Sequence, residues 1–422
     1  MFNRAGCVFC NPYARVFSFF LQICTRTFGL DKNNLHDFFS EELHLRALRN
    51  VLWGLSEYNF RRPFVTSFPF MVVWDITYKC NLRCLHCYSH DNDQKKEMDT
   101  QSAKKIINYF SKNGLLYIAF AGGEPLMRED IFEIIEYASS LGIFTSLATN
   151  GMYLTKEVAK KLKNANLWYA EISLDGLKET HESIRGLNTF EKVIDGIKNS
   201  VSAGIGTGIA TTVTKMNIDE IPKIVSLTQE VKAARNVFFN FIPTGAAKNQ
   251  EWDLSKEQLD DFLEYVYTLM CNNVNAVSTA PQFARVGFLH CKASGGLNPA
   301  VIAHFSHGKM LQDRLSDKNL ELLEFIGGCG AGRLYASLRP NGDIQPCVFM
   351  PIRLGNILID DFKNIWRHNE TLLSLRNRDT LTGACGVCKY KFVCGGCRAK
   401  AYAYSGDVLK EDPSCIYSKN DL

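Results

Sequence analysis

Three rhythms of apolar residues divide this chain. In the first 65 residues Leu43, Ala47, Leu48, Val51, Leu52 and Leu55 fall at helical spacing, which predicts an amphipathic helix within an N-terminal extension. Such a stripe packs on a main domain; a helix lying on lipid or reaching an apolar substrate is the other use of the same pattern. From about 70 to 271, short apolar runs at 71–76, 115–120, 143–148, 168–174, 207–213 and 237–242 alternate with amphipathic stretches near 100–112, 129–141, 155–164, 189–203, 218–231 and 255–271. Six strand–helix repeats at roughly 30-residue spacing predict right-handed βαβ units around a parallel sheet. Residues 272–326 follow neither period and are expected to form an irregular bridge, either lining a cavity or solvated as a linker. Beyond 327 cysteines dominate. The expected organisation is an extension over 1–65, an α/β domain over 66–271, a bridge over 272–326 and a cysteine-rich region over 327–422.

Composition narrows the class. With 422 residues the chain can form two or three domains and a large core. It is 46% apolar and 22% charged with a net charge of +4, and no basic cluster or aromatic platform argues for nucleic acid. The longest early apolar run, Val16 to Cys24, is far short of the ~18 residues of a membrane span and lacks a clear cleavage site, so neither a transmembrane segment nor a secretory signal is expected. Fifteen cysteines in a long, charged chain favour metal ligation in a reducing compartment over a disulfide scaffold, and a cytoplasmic protein is the expectation. Cys7 and Cys10 form an isolated C-x₂-C read as structural or fortuitous.

Cys80, Cys84 and Cys87 stand as C-x₃-C-x₂-C just after the first apolar run. Three thiolates can hold three corners of a [4Fe–4S] cube and leave one iron without a protein ligand. A zinc knuckle with His86 as fourth ligand is the other reading. The second apolar run ends in Gly122-Gly123-Glu124-Pro125. This pairing, a three-cysteine loop after one strand and G-G-E-P after the next, resembles the radical S-adenosylmethionine (SAM) superfamily.

The resemblance implies an open (β/α)₆ partial TIM barrel with a helical N-terminal extension and a small cysteine-rich iron–sulfur C-terminal domain. It implies SAM chelated to the open iron and cleaved by one electron to a 5′-deoxyadenosyl radical. It places the SAM amino group at Gly122, Gly123, Glu124 and Pro125, where the glycines let backbone carbonyls approach closely. Asn150 in A-T-N-G and Ser173 and Asp175 in S-L-D-G look like nucleoside contacts, with Thr211, Thr212 and Pro243 as further neighbours. Arg185 is expected at the SAM carboxylate, since a guanidinium suits a planar anion; a surface salt bridge is the alternative use.

The tail carries Cys329, Gly342 and Cys347, then Cys385, Cys388, Cys394, Cys397 and finally Cys415. This order resembles the SPASM domain, a two-cluster extension of radical SAM enzymes, with x₂ instead of the common x₃ before Cys397. In that family order Cys329, Cys347 and Cys397 hold an inner auxiliary cluster, and Cys385, Cys388, Cys394 and Cys415 an outer one. The inner set lacks a fourth cysteine, so either Cys291 completes it or its last iron is open. The cofactors implied are SAM and three [4Fe–4S] clusters, with flavodoxin or ferredoxin as reductant.

The expected activity is oxidation of an unactivated C–H position. The tail favours a sirohaem-derived tetrapyrrole side chain, with a ribosomal peptide or protein side chain as alternative substrate. An iron–sulfur electron carrier that never meets SAM is the reading from another class, and a zinc scaffold a third. No catalytic acid or base is assignable from the sequence.

Overall fold

A computed structural model describes residues 42–89, 96–294 and 324–418 of the chain. The expectations for Cys7 and Cys10 and for the side chain of Cys291 lie outside the described residues. Ten strands form one open sheet: β1 (Met71–Asp75), β2 (Tyr117–Ala121), β3 (Phe144–Thr149), β4 (Tyr169–Ser173), β5 (Gly206–Val213), β6 (Arg235–Asn240), β7 (Ala276–Ser278), β8 (Tyr335–Leu338), β9 (Asp343–Gln345) and β10 (Gly355–Asn356). Their order is β10-β9-β8-β1-β2-β3-β4-β5-β6-β7, so neither edge pairs with the other. All pairings from β8 through β1 to β7 are parallel, while β8–β9 and β9–β10 are antiparallel.

The crossover helices are α2 (Thr100–Lys112), α3 (Ile131–Ser140), α4 (Lys156–Asn164), α6 (Phe190–Ser202), α7 (Ile221–Glu230) and α8 (Lys256–Cys271); α1 (Glu42–Tyr58) precedes them and α5 (Lys178–Arg185) follows β4. Local sequence starts several of them. Asp99 accepts from the Ser102 N–H at 2.8 Å, and Ser255 with Gln258 forms a capping box. Helix α2 then buries Ala103, Ile106, Ile107 and Phe110, one stripe at helical period.

Strand periodicity sorts residues between two environments. Val72, Trp74, Ile118, Phe120, Leu147, Ile172, Ile209 and Phe238 face the helices and are buried with them in one core. Their alternate neighbours face a cavity. Phe110 packs edge-on against Trp74 of β1 and against Phe362 of α10 (Phe362–His368), joining the C-terminal region to the sheet. Truncating this fully buried ring to alanine costs about 3–5 kcal/mol. Helix α1 buries Leu48 and Val51 and belongs to the cluster of Phe64, Phe70 and Leu334, the packing role that its stripe predicts.

Two expectations need correction. Residues 272–326 are not wholly irregular: they hold β7, paired to β6, and α9 (Gln282–Ser294). A three-residue strand is too short to show a period, and its partner fixes it. The cysteine-rich region is also not separate from the sheet, because β8 pairs in register with β1, Met71 opposite Tyr335.

Candidate functional site

The loop after β1 carries the first cysteines, and four anchors hold it. Ile76 N–H donates to Ala121 O at 2.9 Å, Gly123 N–H to Thr77 O at 2.8 Å and Glu124 N–H to Lys79 O at 2.7 Å. Glu97 accepts from Thr77 Oγ1 and the Tyr78 N–H at 2.9 and 2.6 Å. A Cβ on Gly123 would run into the Lys79 carbonyl, and Gly122 has φ +122. The glycines therefore let the β2 loop lie directly on the cysteine loop. At the exit, Tyr88 donates from its hydroxyl to Asp75 Oδ1 at 3.0 Å, and Arg339 reaches Asp75 Oδ2 at 2.8 Å. Burial raises the Asp75 carboxyl pKa, and Arg339 opposes the shift.

Cys80, Cys84 and Cys87 open onto a cavity of about 290 Å³. Its walls are the inward strand positions, among them Met71, Val73, Ala119, Ala148, Val237, Phe239 and Val277, with polar groups at Ser146, Glu171, Thr212 and Asn240. The same cavity is lined by Cys329, Cys347 and Cys397 from the C-terminal region. Two cysteine sets far apart in sequence thus face one space. Tyr88, next to Cys87, meets Phe349, near Cys347, with ring centroids 5.0 Å apart.

Of the residues expected at a cofactor, Gly122, Gly123, Asn150, Ser173 and Arg185 line this cavity; Glu124, Pro125 and Asp175 do not. Glu124 is fully buried and clamps the next strand end, accepting from Thr149 Oγ1 at 2.7 Å, Asn150 N–H at 2.8 Å and Leu126 N–H at 3.1 Å. Asn150 in turn donates to Asn81 Oδ1 at 2.8 Å, tying β3 to the cysteine loop. Asp175 is also fully buried and sits behind the wall. It binds Arg185 Nε at 2.5 Å, His86 Nε2 at 2.7 Å and the Thr212 N–H at 2.8 Å. Burial pushes the Asp175 carboxyl up, but Arg185 and then His86 outweigh it and hold the group well below the usual carboxylate range. Arg185 is no surface bridge: its side chain is 11% exposed, and Nη1 lies 3.9 Å from Cys84 Sγ.

His86, considered only as a zinc ligand in the sequence, lines the cavity while held by Asp175. Thr212 lines it, Thr211 turns away to donate to Leu174 O at 2.7 Å, and Pro243 lies off the wall. Tyr335 had no sequence signal. It lines the cavity and donates its hydroxyl to Cys347 Sγ at 3.0 Å.

The sulfur atoms are set among donors. Leu82 N–H points at Cys80 Sγ (3.4 Å), Tyr390 N–H at Cys388 Sγ (3.4 Å), Gly396 N–H at Cys394 Sγ (3.3 Å), and Arg398 Nη2 at Cys385 Sγ (3.4 Å). Burial pushes the thiol of Cys87 up to about 11 and that of Cys347 to about 12. Thiols so placed need a bound metal to be thiolates at neutral pH. Donors aimed at sulfur and thiols that are buried or half-buried fit iron–sulfur ligation.

An open α/β sheet with cysteines on the loop after its first strand, facing a second cysteine set across one cavity, defines an iron–sulfur enzyme built on a partial barrel. Two family models match: the radical SAM superfamily over residues 74–228 and the iron–sulfur cluster-binding SPASM domain over 329–389. The AdoMet-dependent heme synthase of Methanosarcina barkeri is 34% identical over 84% of this chain and 98% of its own length. The mycofactocin maturase of Mycolicibacterium smegmatis is 29% identical over 82% of this chain and 83% of its length. Streptococcus suis SuiB bound to S-adenosylmethionine shares the fold, with TM-score 0.66 at 20% identity over 92% of this chain and 84% of that one. The chain belongs to the radical SAM superfamily, in its SPASM-bearing branch. It is an enzyme that uses SAM and [4Fe–4S] clusters, auxiliary ones included.

Proposed function

We propose that this enzyme oxidises a propionate-type side chain of an iron tetrapyrrole, with Cys80, Cys84 and Cys87 holding the SAM-binding cluster. Cys329, Cys347 and Cys397 hold the inner auxiliary cluster in this reading, and Cys385, Cys388, Cys394 and Cys415 the outer one. The carrying observation is the shared cavity, which brings the first and inner cysteine sets to one substrate space. When bound, SAM and the clusters supply a hydrogen-abstracting adenosyl radical and take up the remaining substrate electron, a net oxidation such as decarboxylation or desaturation.

The chain's own residues orient and shield. Arg185, fixed by Asp175, has N–H groups beyond those already used and takes the SAM carboxylate. Asn150, Ser173 and Thr212 supply polar contacts around the nucleoside. Met71, Val73, Val237 and Phe239 keep the cavity apolar, which keeps water from a reactive intermediate. Exposed Arg83 and Leu85 flank Cys84 and give a flavodoxin or ferredoxin its approach in a reducing, cytoplasmic setting.

Support for the tetrapyrrole comes from relatives named for it: beside the heme synthase, a protein of M. barkeri named Fe-coproporphyrin III synthase is 31% identical over 83% of this chain and 89% of its length. A peptide is the second reading, favoured by likeness to the maturase. Anaerobic titration of the reconstituted enzyme with an iron tetrapyrrole bearing propionates decides between them. A shifted haem absorption band and substrate-dependent release of 5′-deoxyadenosine are expected. An unshifted spectrum with no substrate-dependent release contradicts the tetrapyrrole.

A further inference from the structure

Four arginines of the cysteine-rich region are almost wholly buried: Arg333 at 0%, Arg376 and Arg398 at 1% and Arg378 at 2% exposure. A buried cation ordinarily has an anionic partner, because desolvation is costly without one. These four form no ion pair with a carboxylate among the described residues. Their partners are main-chain carbonyls, aromatic rings, the Tyr58 hydroxyl and one sulfur. Arg378 donates to Cys329 O at 2.9 Å and Gly395 O at 3.2 Å; Arg333 donates to Phe64 O at 2.8 Å and Cys329 O at 3.4 Å. Arg376 donates to Gly332 O at 2.8 Å and stacks 4.5 Å over Trp366. Arg398 donates to Val408 O and Lys410 O at 3.1 and 2.7 Å and to Cys385 Sγ at 3.4 Å.

Carbonyl dipoles seat these cations without cancelling their charge. Arg333 Nε, Arg376 Nη2 and Arg378 Nε have no hydrogen-bond partner at all. The seats are built: a side chain at position 395 or 396 would collide with the guanidinium of Arg378 or Arg398. Two of the four straddle the two thiol sets. Arg378 is bonded to the carbonyls of Cys329, from the inner set, and of Gly395, beside Cys394 of the outer set, while Arg398 follows Cys397 and touches Cys385.

We infer that Arg378 and Arg398 are the counter-charges of the two auxiliary clusters and raise their reduction potentials, making them acceptors for the substrate's second electron. Net charge, hydrogen bonds to sulfur and burial are the protein's levers on such a potential. A fixed cation in a dry shell favours the more negative, reduced form of an anionic thiolate-bound cube. Arg378 and Arg398 are then not uncompensated: the clusters complete them. Arg378 and Arg398 are positioning residues, acting on potential and not on substrate. The inference rests on the reading of two auxiliary clusters.

The test is an anaerobic redox titration followed by electron paramagnetic resonance on the full chain with all clusters assembled, alongside iron analysis. Arg398→Gln is expected to keep its iron and to lower an auxiliary midpoint by at least ~59 mV, the one-electron equivalent of a tenfold shift. Arg398→Lys, which retains the charge, is expected to stay near the wild type. Should Arg398→Gln lose iron, Arg378→Gln, whose guanidinium touches no sulfur, reads the charge effect alone with the same expected fall. Unchanged midpoints in iron-replete Arg378→Gln and Arg398→Gln overturn the inference. Wild-type protein holding iron for only one cube overturns instead the two-cluster reading beneath it.

Discussion

The barrel and the cysteine-rich region differ in how they seat most of their buried arginines. In the barrel Arg128 pairs with Asp130, and Arg185 with Asp175; at its seam with β8, Arg339 pairs with Asp75. Each of these cations finds its anion in the polypeptide. In the region after 327, Arg333, Arg376, Arg378 and Arg398 sit just as deep and find carbonyls, rings, the Tyr58 hydroxyl and sulfur in place of carboxylates. A barrel that pairs the arginines around its site within its own chain, Arg235 being its unpaired exception, depends less on its cofactor to fold. A region whose four buried arginines form no ion pair, although its Lys400 pairs with Asp253, depends more on what it binds.

The largest expected effect breaks the barrel's chemistry without touching its fold. Cys84→Ala is expected to abolish release of 5′-deoxyadenosine under strong reduction while circular dichroism stays unchanged; residual turnover above background counts against the assigned triplet. Iron removal sharpens the contrast between the regions. Since each uncompensated buried ion costs several kcal/mol, chelation is expected to strip hydrogen-exchange protection from 329–415 and leave 100–240 largely protected. Equal loss in both regions would mean that the barrel shares the dependence.

Much of the barrel was legible in the sequence because each of its six long strands is an apolar run whose buried face needs a helix over it. Strands β7 to β10 were not, since two to four residues carry no period and exist through their partners. The cysteines announced themselves by spacing. Which way Glu124 and Asp175 point did not: both end up behind the wall, one clamping β3 and the other holding Arg185 and His86. The buried arginines run against the ordinary expectation that arginine is exposed, and no sequence pattern marks that carboxylates are missing beside them.

Smaller effects test the barrel's pairing. Removing one partner of the buried pair with Asp175→Asn is expected to destabilise the protein by about 3–5 kcal/mol and to raise the KM for SAM more than it lowers kcat. A stability within 1 kcal/mol of wild type (roughly the worth of an exposed pair) would contradict a buried, structural Asp175. Smaller again is a pH effect at His181, fully buried with Nδ1 accepting the Asp175 N–H at 3.2 Å. Burial and then Arg185 push its pKa down to about 4 from 6.5. The unfolded chain therefore binds the extra proton first, so stability falls as pH drops from 6.5 through 4, by about 3 kcal/mol. His181→Gln is expected to flatten that limb of a denaturation-versus-pH curve, and an unchanged slope would count against it.

The most direct measurement is the resonance spectrum of the anaerobically reduced, iron-replete enzyme before and after SAM is added. Three thiol sets, one of them with an iron left open to SAM, predict roughly eleven to twelve irons per chain and a signal that changes on adding SAM and is missing in Cys84→Ala. A spectrum indifferent to SAM, in protein that holds its full iron, would contradict the account at its centre.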